Sequence, residues 1–144
     1  MFGFEYYTPT RVIFGKGSEN RVGELVQEYG AQKVLIHYGG QSAVKSGLLD
    51  RVKAALDASG IPHVELGGVV PNPHLSKVRE GIALGKQETV DFILAVGGGS
   101  VIDSSKAIAY GLAEPEHDVW ELFCKKRKAK RALLVASILT IAAA

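Results

Sequence analysis

Gly97-Gly98-Gly99-Ser100 stands between the apolar run Phe92–Val96 and a helical pattern running from Val101 to Leu112. A strand that turns through glycines into a helix leaves the helix's first backbone N–H groups unbonded and presents its positive end above the turn. That is the chemistry for gripping a phosphate. Glycine lets the main chain approach a diphosphate with no Cβ between them, and it supplies positive φ where a sharp turn needs it. Asp103 and Lys106 follow at three-residue steps. Ser100 is a natural N-cap and Asp103 completes a capping-box pattern with it, so a role for Asp103 as a helix cap alone stays open. Two better-known phosphate motifs are absent. The Gly-x-Gly-x-x-Gly fingerprint fails at Ile102, and Ser105-Lys106 does not supply the Gly-Lys-Ser/Thr ending of a Walker A loop.

The elements that must position this turn alternate along the chain. Phe4–Tyr7 and Arg11–Phe14 read as an N-terminal β-hairpin joined through Thr8-Pro9-Thr10. A helix opens at Ser18, buries Val22, Leu25, Val26 and Tyr29, and stops at Gly30. Strand Lys33–His37 follows, then the break Gly39-Gly40 and a helix through Leu48, Leu49, Val52, Ala55 and Leu56 to Gly60. Ile61–Leu66 is the next strand, succeeded by Gly67-Gly68, the rigid Pro71-Asn72-Pro73 and a helix from Leu75 to Lys86. Phe92–Val96 reads as a central strand buried on both faces. After helix 101–112 come a charged loop, a short helix around Val119–Phe123 and strand Ala132–Ala136. Such alternation means βαβ units: an α/β fold with a mostly parallel sheet, helices on both faces and right-handed crossovers.

Composition narrows the class. The chain has 144 residues, 47% apolar and 22% charged, with a formal charge of +2. That suits one globular domain with a real core and neither demands nor excludes an anionic partner. The single Cys124 forbids an internal disulfide framework and fits a reducing compartment. The longest apolar stretch, Ala132–Ala144, is 13 residues broken by Ser137 and Thr140, whereas a membrane span needs roughly 20. With no secretory leader pattern at the N-terminus, a cytoplasmic location and no membrane partner are expected. Lys125–Arg131 carries six basic residues in seven, but no aromatics are interleaved to stack bases. It reads as a solvated connection, and no nucleic-acid partner is expected.

Gly97–Lys106 matches Gly-Gly-Gly-Ser-x-x-Asp-x-x-Lys. With Pro71-Asn72-Pro73, the opening Tyr7-Thr-Pro-Thr-Arg-Val-Ile-Phe-Gly15 and the ending Leu139-Thr140, the chain resembles the iron-containing alcohol dehydrogenases, most closely their butanol dehydrogenase branch. The resemblance implies that residues 1–144 are the dinucleotide-binding α/β domain, without the helical C-terminal domain that family members carry. It implies backbone contacts from Gly98, Gly99 and Ser100 to the cofactor pyrophosphate, with Gly97 among the cofactor-binding residues and Asn72 along the same channel. Asp103 and Lys106 fall toward the nicotinamide ribose and substrate side, which gives Asp103 its substrate-side role, and Thr140 falls near the cleft. Trp120 corresponds to an apolar wall. The family's chemistry is hydride transfer between a nicotinamide and a primary alcohol or aldehyde, assisted by Fe or Zn held by one Asp and three His of the missing domain. The hairpin would serve a homodimer.

His37, His63, His74 and His117 include no pair three or four residues apart, so no metal site and no catalytic residue are expected in this chain, and inactivity of the chain alone follows. An acidic residue after the second parallel strand selects NAD by bonding the ribose hydroxyls. Read as that strand, the chain ends His37-Tyr38-Gly39-Gly40-Gln41-Ser42, without Asp or Glu and with Lys45 close behind. NADP(H) is therefore favoured over NAD(H), with Gly39 and Gly40 beside the adenosine ribose; the plainer reading of Gly39-Gly40 is a tight turn. The alternatives are a non-catalytic nucleotide-binding module and a fragment of a glycerol dehydrogenase- or dehydroquinate synthase-like protein.

Overall fold

Val34–Tyr38 (β1), His63–Leu66 (β2), Phe92–Gly97 (β3) and Leu134–Leu139 (β4) form one parallel sheet in the order β2-β1-β3-β4. This computed structural model describes residues 3–72 and 74–141; Met1, Phe2, Pro73 and Ala142–Ala144 lie outside the described residues. The register sets His37 opposite both Leu66 of β2 and Ala95 of β3, and Gly97 opposite Leu139 of β4.

Helices cover both faces, as the α/β pattern requires. Val22–Glu28 (α1), Gln41–Lys45 (α2) and Leu48–Ala58 (α3) send Val22, Val26, Ala43, Leu49, Val52 and Leu56 onto Val34, Ile36, Phe92, Leu94 and Val96. Leu75–Gln87 (α4) and Gly99–Ala113 (α5) pack Val78, Ala107 and Ile108 onto the opposite face, against Leu35 and Ile93. Alternate residues of β1 and β3 thus serve different layers, and every residue of β3 is buried. A short helix, Trp120–Phe123 (α6), precedes β4.

Local differences from the sequence expectations have physical causes. The first helix begins as a 3-10 turn, Ser18–Arg21, capped by Gly17 at φ 78° rather than by a serine hydroxyl. The turn after Gly39-Gly40 is itself helical, as α2.

The expected N-terminal hairpin does not form. Residues 3–14 carry no strand, and Phe4, Tyr6, Tyr7, Val12 and Phe14 are exposed, Phe14 completely. Two strands without an apolar face to pack on are marginal, and no strand of the sheet pairs with this segment. Arg11 holds it to α1 through Glu28, at 2.6 Å.

Candidate functional site

The strand order makes β1 and β3 neighbours whose connections leave in opposite directions, to α2 on one face and α5 on the other. Ligands of open α/β sheets bind in such a gap, beyond the carboxyl ends of the strands. Gly39-Gly40 lines one side and Gly97-Gly98-Gly99 the other. Val101 sits between them: its Cγ2 would lie 3.5 Å from a Cβ on Gly39 and 2.7 Å from one on Gly97. The strand ending at Tyr38 is the first parallel strand in chain order rather than the second. It adjoins the strand bearing the glycine turn, as β1 pairs with β3.

Gly97 adopts φ 155°, a conformation that disfavours any side chain. Gly98 is the N-cap of α5 in extended geometry. The amides of Val101 and Ile102 both return to Gly98 O at 3.1 Å. Among the described residues the amides of Gly98, Gly99 and Ser100 find no acceptor in the chain. No atom lies within 4 Å of a Cβ built on Gly99 or on Gly40. Free donors, a helix N-terminus and open space above them fit a diphosphate. Thr140 is held beside the turn by its own N–H, which donates to Gly97 O at 3.2 Å.

The capping alternative fails. No side chain caps α5, Ser100 lies inside the helix, and Asp103 is exposed. Asp103 and Lys106 share the exposed side of α5, one turn apart. Asn72 is exposed at φ 59° in the loop leaving β2, a conformation asparagine tolerates. Lys45 ends α2 and is exposed.

Sequence reasoning missed two partners of the gap. The loop after β2 closes it from the side: Gly68 N–H donates to Gly39 O at 3.0 Å and Val69 N–H to Tyr38 O at 3.4 Å. Gly67-Gly68 was the available signal. The second is His37, fully buried in β1, with Nδ1 2.8 Å from Leu66 O and Nε2 2.8 Å from Ser104 Oγ. A contact across 67 positions has no sequence signature.

Trp120 is half exposed and stacks on Phe123; beside it Val119 is buried and Asp118 pairs with Arg79 of α4 at 2.9 Å. The basic run is not wholly solvated: Arg127 folds onto buried Glu114, whose carboxylate also accepts from the amides of Lys130 (2.7 Å) and Arg131 (3.1 Å). His63 lies 3.0 Å from Asp57 and His117 3.7 Å from Glu121. Even so, among the described residues no three His, Cys, Asp or Glu side chains converge as a metal would require. The donor set of the described residues does not fit a resident Fe or Zn. No described helix is long and apolar enough to cross a membrane.

Comparison with known proteins meets the same segments. The sequence model of the family described as iron-containing alcohol dehydrogenase matches residues 9–144. The chain is 47% identical, over 99% of its length, to a probable NADH-dependent butanol dehydrogenase 1 of Bacillus subtilis. It is 39% identical, over 99% of its length, to the NADPH-dependent aldehyde reductase YqhD of Escherichia coli. It covers 36% of each of these two relatives. Among solved structures, the NADH-dependent butanol dehydrogenase A of Thermotoga maritima superposes with a TM-score of 0.94 at 44% identity, over 98% of this chain and 35% of that one.

Proposed function

The chain belongs to the iron-containing alcohol dehydrogenase family, and we propose that it is the dinucleotide-holding portion of an NAD(P)H-dependent alcohol or aldehyde dehydrogenase of the butanol dehydrogenase kind. The observation that carries this reading is the set of unbonded amides at Gly98, Gly99 and Ser100 beside the β1/β3 gap. Those amides would hold the pyrophosphate. Gly39 and Gly40 would leave room for the adenosine ribose, with Asn72 along the channel. Thr140, Asp103 and Lys106 would lie toward the nicotinamide end, Asp103 on the substrate side.

When bound, the cofactor supplies a hydride donor or acceptor at its nicotinamide ring. In the whole protein, hydride would pass between that ring and a primary alcohol or aldehyde. The chain by itself would bind dinucleotide without turning over alcohol, because the described residues offer no converging metal ligands. The site would prefer NADPH: the turn Tyr38–Ser42 holds no carboxylate to repel a 2′-phosphate, and Lys45 stands just beyond it. One relative is named NADPH-dependent, and the more similar one NADH-dependent, so the preference is decided by titration. A homodimer built on the exposed N-terminal segment, and residence in the cytoplasm, complete the proposal.

Calorimetric titration of the purified chain with NADPH and NADH tests the reading. Saturable binding of either, displaced by ADP-ribose, is expected. Binding of neither sinks it. Butanal reduction by this chain alone would overturn the assignment of the chemistry to other residues.

A further inference from the structure

The proposed dinucleotide contacts leave the buried imidazole of His37 without a role. His37 is 0% exposed and bonds on both ring nitrogens. Leu66 O can only accept, so Nδ1 carries the hydrogen; Nε2 then accepts from the Ser104 hydroxyl. One tautomer satisfies both partners. Burial pushes the ring down to about 4, aided by Lys77 on α4 and opposed by the Leu66 carbonyl and by Glu80 on the same helix. On α5, Asp103 and Lys106 are exposed to solvent. At neutral pH the imidazole is uncharged, and its acceptor at Nε2 persists.

The ring and its two partners tie together three elements beside the gap. His37 belongs to β1, Leu66 is the last residue of β2 before Gly67-Gly68, and Ser104 is one helical turn beyond Ser100. Resting on the dinucleotide-binding role proposed for this loop, we infer that His37 is a positioning residue for the glycine turn, holding the first turns of α5 against β1 and β2 through Ser104. A helix packed by apolar contacts alone can slide or rotate slightly. A directional bond at its second turn fixes the height and aim of the amides above it.

The test compares wild-type chain with Ser104→Ala, His37→Gln and the double variant. Amide hydrogen exchange is read at Val101 and Ile102, whose N–H groups both return to Gly98 O, together with NADPH and NADH affinity. Each single substitution is expected to speed exchange at those two amides about tenfold and to weaken both dinucleotides about fivefold; the double variant does no worse than the worse single, because all act through one bond. Exchange at Val52 and Leu56, inside α3, stays unchanged, which separates positioning from general loosening. Ser104→Ala removes a single oxygen and keeps the test alive if His37→Gln does not fold. Unaltered exchange at Val101 and Ile102 in Ser104→Ala, or fully multiplicative effects in the double variant, overturns the role. Should exchange respond while the wild type binds neither dinucleotide, His37 keeps its positioning role and the dinucleotide proposal falls.

Discussion

Val101 Cγ2 occupies the space that a Cβ on Gly97 would need, 2.7 Å from it. Gly97 also holds φ 155°, so a side chain there meets both a packed neighbour and an unfavourable backbone. Gly97→Ala should destabilise the chain by about 1–3 kcal/mol in denaturant unfolding. Gly99→Ala makes the contrast. Its Cβ meets nothing within 4 Å, so stability should stay within about 0.5 kcal/mol of wild type. Dinucleotide affinity should fall roughly tenfold, because the methyl group blocks approach to an amide whose charge-assisted bond is worth about 1.5–3 kcal/mol. Equal affinity for wild type and Gly99→Ala would remove this amide from the pyrophosphate contacts.

Cofactor preference is predicted to turn on Gly40. It is exposed, with open space about its Cβ position, so no neighbour blocks a side chain there. Gly40→Asp would place a carboxylate beside the adenosine ribose, where it can accept from hydroxyls and repel a 2′-phosphate. NADPH binding should weaken on the order of tenfold while NADH binding holds or improves. Parallel titrations with the two cofactors decide it, and an unchanged ratio would move the ribose away from this turn.

Acid should act on the far end of α5. Glu114 is held down to about 2 from an ordinary 4.5, chiefly by its bond from Arg127 and next by the Lys130 amide. A carboxylate whose folded value is depressed contributes stability that is fully present above the unfolded value and is lost as pH falls through the folded one. That contribution should therefore disappear between about pH 4.5 and pH 2. Glu114→Gln should lower stability at pH 7 and flatten this part of the acid profile, read from denaturant midpoints at each pH. A variant that retains the wild-type slope would assign the acid sensitivity elsewhere.

Removing residues 1–14 should leave the folded domain nearly as stable. Among its described residues Phe4, Tyr6, Tyr7 and Phe14 are exposed, and the half-exposed pair Arg11–Glu28 ties the segment to α1. Such surface pairs contribute about 0–1 kcal/mol. If the exposed aromatics Phe4, Tyr6, Tyr7 and Phe14 build a homodimer, sedimentation should find the full chain dimeric and the shortened one monomeric. A monomer in both cases would end that proposal.

Periodicity and turn residues made most of the fold legible. The apolar run at 92–96 identified the central strand; Gly30 and Gly60 marked helix ends, where both adopt positive φ. The glycine turn was legible because its chemistry is local: strand, three glycines and helix are contiguous. What failed was tertiary. β-rich composition at residues 4–14 could not reveal that no strand would pair there. A capping-box spacing at Ser100 and Asp103 could not foresee that the helix begins two residues earlier, at Gly99, with Gly98 as its cap. The bond from His37 to Ser104, and the return of Arg127 to Glu114, join residues whose neighbourhood exists only after the sheet has closed.

β4 carries a further consequence. Among the described strands it pairs with β3 on one side only, and Leu134 and Leu139 are half exposed along it. A bare ladder of main-chain donors and acceptors is a template for another polypeptide's strand. Handled in isolation, the domain therefore has a built-in nucleus for intermolecular sheet growth, and its solubility should be governed by concentration well before its thermal midpoint is reached.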